Sequence, residues 1–149
     1  MKTLLITLLL LLLPGFVNAD NKQLLTQLDS ALKAKPAVAK AKHERIALLK
    51  NSLDRRNDPK VRLKAYNDIY QEYYVFNYDS AMLYVSKGLK LAKAVGENYY
   101  IHHFTLQEAR LLVVAGLFTE AMDILYSVNE ATLEQNLKFD YYFTFYRLY

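Results

Sequence analysis

At 149 residues, 53% of them hydrophobic and 23% charged, the chain has apolar material for one domain and too little length for two, which excludes a disordered tail and a large enzyme. The absence of cysteine closes disulfides, thiolate metal sites, cysteine nucleophiles and the lipidated cysteine of a bacterial lipoprotein. Four glycines and three prolines are few for a turn-rich β protein, so the expected class is all-α.

Residues 1–19 read as an export signal. Lys2 gives a positive start, Leu4 to Leu13 is apolar apart from Thr7, and Val17 and Ala19 place small residues where a signal peptidase needs them. The cut is expected before Asp20, leaving 130 residues outside the cytoplasm, on the periplasmic or extracellular side of the inner membrane. The apolar run rises only about 15 Å, half of what a hydrocarbon core requires, so it is too short for an anchor.

Beyond the cut, Leu24, Leu28 and Leu32 recur at helical spacing and predict a helix near 21–34. Pro36 falls where a second helix can begin, and Val38, Ala41, Ile46, Leu49 and Leu53 carry its stripe to about residue 55. Residues 20–57 are therefore expected as a basic helical hairpin capping the rest. Asp58-Pro59 reads as an N-cap followed by proline at the first helical position. It opens a third helix that runs through Tyr66, Ile69, Tyr70 and Tyr73 to the cluster Tyr74, Phe76 and Tyr78. Asp79 and Ser80 are the expected caps of a fourth, Ala81 to Val95, closed by Gly96. A fifth covers Tyr99 to Ala115 and stops at Gly116, a sixth runs from Thr119 to before Asn129, and a seventh from Leu133 to Tyr149.

Charge is sorted along the chain. Residues 33–64 hold eleven Lys and Arg against Glu44, Asp54 and Asp58, a net of +8. Without interleaved aromatics to stack on bases, this segment is expected as a solvated face, with no nucleic acid as partner. The alternative is contact with an anionic surface through Arg55, Arg56, Lys60 and Lys64.

At an offset of 40 the chain matches itself. Tyr78-Asp79-Ser80-Ala81-Met82 aligns with Phe118-Thr119-Glu120-Ala121-Met122, with Val61 on Ile101, Tyr66 on Leu106, Asn67 on Gln107 and Val85 on Leu125. Two-helix units that cannot bury their faces alone must stack, which predicts an α-solenoid. The offset continues to Tyr141 and Tyr146, so 58–149 is expected as repeats of which the last is incomplete. Its aromatic helix would leave a face uncovered, and self-association through 137–149 follows.

Gly116-x-Phe118-x-x-Ala121-x-x-x-Leu125 resembles the tetratricopeptide repeat, and Tyr78-x-x-Ala81-x-x-x-Val85 repeats the pattern. The resemblance implies that Ala81 and Ala121 sit at tight helix crossings while Tyr78 and Phe118 fill the wedges. The period of 40 instead of 34 marks divergent copies. The layout, with its phrase Asn77-Tyr78-Asp79-Ser80-Ala81, also resembles the N-terminal part of a family of exported Bacteroidetes proteins. Its members continue into a membrane helix and a cytoplasmic helix-turn-helix-like end. That resemblance implies a sensor or scaffold half of a membrane-spanning transcriptional regulator, binding a protein or peptide segment and joined to a C-terminal part beyond Tyr149.

Catalytic templates fail on particular residues. His43-Glu44 lacks the second zincin histidine, because Ala47 stands there, and His102 and His103 point about 100° apart on a helix. Neither a phosphate loop nor a serine elbow is present. Carboxylates such as Glu72, Glu108 and Glu120 read as solvated, and no metal or cofactor is expected. The reading is a non-catalytic binding scaffold, with an accessory domain of a secreted enzyme as the alternative. Thirteen tyrosines, all from Tyr66 onward, are expected mainly as packing, with a minority lining a groove.

Overall fold

The structure, a computed structural model, describes residues 14–53 and 57–148, with side chains from residue 21 onward. The leader expected at 1–19, with its cut before Asp20, falls outside the described side chains, and Arg55, Arg56 and Tyr149 lie outside the described residues. Among the described residues there are six α-helices and no strand: α1 (Pro14–Leu53), α2 (Pro59–Tyr73), α3 (Tyr78–Val95), α4 (Asn98–Val114), α5 (Phe118–Ser127) and α6 (Gln135–Tyr146), with a 3₁₀ turn at Glu130–Thr132. The fold is all-α, the stacked hairpins of an α-solenoid.

The chain divides into two units, Met1–His43 and Glu44–Tyr149. In the first, the expected hairpin is corrected: residues 21 to 43 belong to one helix that runs through Pro36 without a turn. Proline removes one helical hydrogen bond, at a cost of about 3 kcal/mol. Alanines and lysines on both sides, Ala31, Lys33, Ala34, Lys35, Ala37, Ala39 and Lys40, are strong helix formers that keep the helix going. Leu24, Leu28 and Leu32 lie exposed on this helix. No helix among the described residues is long and apolar enough to cross a membrane.

In the second unit the last turns of α1 do cover the repeats, through buried Ile46 and partly buried Leu49 and Leu53. Asp58 caps α2 as expected, accepting from the Lys60 amide at 2.9 Å with Pro59 in the first turn. The cap of α3 is a correction. Asn77 holds it, accepting from the Ser80 amide at 2.9 Å, so the helix opens at Tyr78, ahead of Asp79 and Ser80. Short turns make successive helices antiparallel neighbours, and α3 packs between α2 and α4, while α4 meets α5 and α6.

Both helix-closing glycines sit in left-handed backbone, Gly96 at φ 71° and Gly116 at φ 77°. There the Glu97 amide returns to the Ala92 carbonyl (3.1 Å) and the Leu117 amide to the Leu112 carbonyl (2.9 Å), satisfying the orphan carbonyls of α3 and α4. The last helix is shorter than expected, ending at Tyr146 with Arg147 as its cap.

Among the described residues two apolar clusters form the core. The first joins α2, α3 and α4 through residues including Leu63, Ile69, Val85, Phe104 and Leu111; the second joins α4, α5 and α6 through Leu106, Ala109, Leu125, Leu133 and Leu137. Ala81 and Ala121, 40 positions apart, are each 0% exposed. Replacing Ala121 with Leu overpacks its site. Because α5 is a ten-residue helix able to shift, the expected loss is near the low end of the usual range, about 1 kcal/mol. A urea midpoint no lower than that of the variant with Leu at exposed Ala34 would refute the crossing.

Candidate binding face

The first helices of successive hairpins, α2, α4 and α6, are linked side by side by polar rungs. His103 Nε2 on α4 donates to Asn67 Oδ1 on α2 at 2.8 Å. One turn on, the Tyr70 hydroxyl donates to Gln107 Oε1 at 2.6 Å, with both groups buried. After a further turn, Arg110 Nε donates to the Tyr74 hydroxyl at 3.0 Å, and its guanidinium lies 4.5 Å from the Tyr74 ring centre. Between α4 and α6, Asn136 Nδ2 donates to the Tyr99 hydroxyl at 3.3 Å.

These partners stand 36 or 37 positions apart, not 40. A first helix is therefore bonded about one helical turn away from its sequence equivalent on the neighbour. Continuing the same step from His103, Gln107 and Arg110 leads to Asp140 and Thr144 on α6 and to Arg147 at its cap. Thr144 is buried there, its hydroxyl donating to the Asp140 carbonyl at 2.7 Å, and the Asp140 charge acts on both His103 and Tyr70.

Burial sets the protonation of this face. Desolvation raises the Tyr70 phenol far above its ordinary range, against a smaller downward pull from Arg110, so it remains a donor to Gln107. Desolvation also lowers the His103 imidazole below 6.5, with Asp140 pulling weakly the other way. Its Nδ1 is buried without a partner among the described residues, as suits a neutral ring donating through Nε2.

A histidine resisting its proton in the folded state makes stability fall as pH drops through 6.5, because the unfolded chain takes the proton first. His103→Gln should flatten that fall between about pH 7.5 and 5.5. Glu108 has the opposite tendency, its acidity weakened by burial, but it is common to both proteins and cancels. Parallel urea-midpoint profiles for the two would contradict the assignment.

Of the residues expected from the repeat pattern, Ala81 and Ala121 are buried, whereas Gly116 is exposed and closes its helix without packing against a neighbour. Val85 and Leu125 are fully buried, and Tyr78 is half-buried against the first cluster. Phe118 departs from expectation at 51% exposed. Tyr78 opens a helix with long neighbours on both sides, whereas Phe118 opens α5, and no such helix covers it among the described residues. Of the anionic-surface set, the two described residues are both paired, Lys60 with Glu97 at 3.1 Å and Lys64 with Asp68 at 2.7 Å. Glu72, expected to be solvated, pairs with Arg45 at 3.1 Å.

Asn67, Tyr70, Tyr74, Gln107 and Arg110 escape a search for catalytic templates, and His103 enters it only as one of two adjacent histidines that point apart. Their signal is the recurrence of polar groups at i, i+4 and i+7 within apolar helices, as in His103, Gln107 and Arg110. The face offers amide, phenol and guanidinium donors beside aromatic rings. That chemistry suits the carbonyls and side chains of an extended polypeptide. Among the described residues no cluster of three or more His, Asp or Glu could hold a metal ion.

The family model described as SusR N-terminal TPR domain matches residues 32–149. No curated protein and no solved structure matches the chain.

Proposed function

The chain belongs to the family of SusR N-terminal TPR domains, and on that premise we propose that it is a non-catalytic scaffold outside the cytoplasm that holds a polypeptide segment across α2, α4 and α6. Tetratricopeptide-type domains generally mediate protein–protein interaction. The observation that carries the reading is the set of rungs joining α2 to α4, which fixes Tyr74 and Arg110 as a preformed pair. Preformed donors spare the ordering cost of binding.

In this reading the chain is the sensing half of a membrane-spanning transcriptional regulator. Support comes from its leader-like start and from the resemblance carried by Asn77-Tyr78-Asp79-Ser80-Ala81. A second copy is one candidate partner, because α6 exposes Phe139 and Tyr146 at 71% and 78% while Tyr141 and Phe145 pack inward. Anionic-surface contact is the weaker reading, since Glu97 and Asp68 already face Lys60 and Lys64.

Selection of a displayed random peptide library against the purified protein tests the proposal. Enriched peptides should lose roughly tenfold in affinity, about 1.4 kcal/mol, on Arg110→Ala and remain unchanged on Lys33→Ala. Failure to enrich any peptide sensitive to Arg110 would contradict it.

A further inference from the structure

Several basic residues of the second unit have a polar partner. Arg45, Lys60 and Lys64 each face a carboxylate, and Lys50 donates to the Tyr73 hydroxyl at 2.9 Å. A group on another face has no carboxylate beside it among the described residues. Arg62 of α2 and Lys87 and Lys90 of α3 converge on a pocket of about 290 Å³, whose walls are completed by Tyr66, Leu91 and Ala94. The convergence follows from spacing: Arg62 and Tyr66 are one turn apart on α2, and Lys87, Lys90, Leu91 and Ala94 recur at i, i+3, i+4 and i+7 on α3.

Among the described residues no carboxylate lies within ion-pairing distance of Arg62, Lys87 or Lys90. Lys87 rests over the Tyr84 ring, 5.1 Å from its centre. Arg62 Nη2 donates to the Tyr66 hydroxyl at 3.2 Å, while its Nε is buried with no acceptor. Three like charges around one cavity repel. An anion seated among them offsets that repulsion, with the outer N–H groups of the guanidinium for directional hydrogen bonds and two mobile ammonium groups to close over it. Tyr66, Leu91 and Ala94 add an apolar wall, and the volume suits a ligand at the small end of those that pockets take.

The geometry points to a binding site for a small organic anion, one carboxylate or phosphate group on a compact apolar body, between α2 and α3. The site is separate from the rungs and stands whether or not a polypeptide binds there. Phenyl phosphate and phenylacetate represent the two anion chemistries, and phenol the apolar body without the charge.

Amide chemical shifts of the ¹⁵N-labelled full chain, titrated with each compound, test it. At least one anion should give saturable shifts centred on Arg62, Tyr66, Lys87 and Lys90, with a dissociation constant on the order of 1 mM, and phenol should give none there. The stronger of the two anions identifies the chemistry. Arg62→Gln and Lys90→Ser should each weaken binding by roughly tenfold, whereas Lys93→Ser, on α3 but outside the pocket, should leave it unchanged. Lys90 is exposed, so its variant reports even where Arg62→Gln fails to fold. Absence of saturable shifts with both anions, equal response to phenol, or equal loss on Lys93→Ser would overturn the site.

Discussion

Replacing Phe104 with alanine should cost about 3–5 kcal/mol, the largest loss expected at any single position. The ring is 0% exposed and lies where α4 crosses α3, with the Tyr100 ring stacked beside it at 6.0 Å. Gly88 makes this approach possible, because a Cβ built there would clash with the Cζ end of the Phe104 ring. The two residues interlock. Removing the ring leaves a cavity that two long helices cannot collapse into. Adding a methyl group in Gly88→Ala forces the ring out, at about 1–3 kcal/mol, more than the roughly 0.5–1 kcal/mol that alanine gains as a helix former. Gly88→Ala combined with Phe104→Leu should recover part of the loss, since the smaller side chain vacates the contested space. Urea unfolding of the four proteins decides it, and a raised midpoint for Gly88→Ala would show that the ring does not sit there.

The local signals in the chain translate well where one residue's stereochemistry decides the outcome. Asp58-Pro59 opens a helix because proline needs no amide acceptor there, and Gly96 and Gly116 close helices because their backbone is left-handed. The same reasoning misleads at Pro36, where summed propensity of the flanking residues outweighs one lost hydrogen bond. It also misplaces the cap of α3, since Asn77, Asp79 and Ser80 are all competent and only tertiary packing chooses.

The binding face was hidden for a different reason. Comparing the chain with itself finds equivalent positions, and places Asn67 on Gln107 at an offset of 40. Physical neighbours across stacked helices are set instead by their axial stagger, which pairs Asn67 with His103 and Tyr70 with Gln107. Periodicity reveals that repeats stack, not by how much they slide. Phe118 illustrates the same limit, because its pattern position matches that of Tyr78 while its surroundings do not.

The second large effect is expected at the central rung. Gln107→Leu leaves the buried Tyr70 hydroxyl without an acceptor, at about 1–3 kcal/mol. Tyr70→Phe strands the Gln107 amide in the same way. The two changes together replace both polar partners with apolar ones and should be nearly neutral beyond the altered shape. The coupling energy should therefore be large, about 1–3 kcal/mol.

That coupling, set against a second cycle, tests most directly whether α2 and α4 are joined in this register. Urea unfolding of Tyr70→Phe, Gln107→Leu and the double variant should give the strong coupling. The same cycle on Asn67 and Gln107, the pair that the offset of 40 aligns, should give a coupling within about 0.5 kcal/mol of zero. The reverse result, additive effects for Tyr70 with Gln107 and strong coupling for Asn67 with Gln107, would contradict the rungs and the binding face built on them.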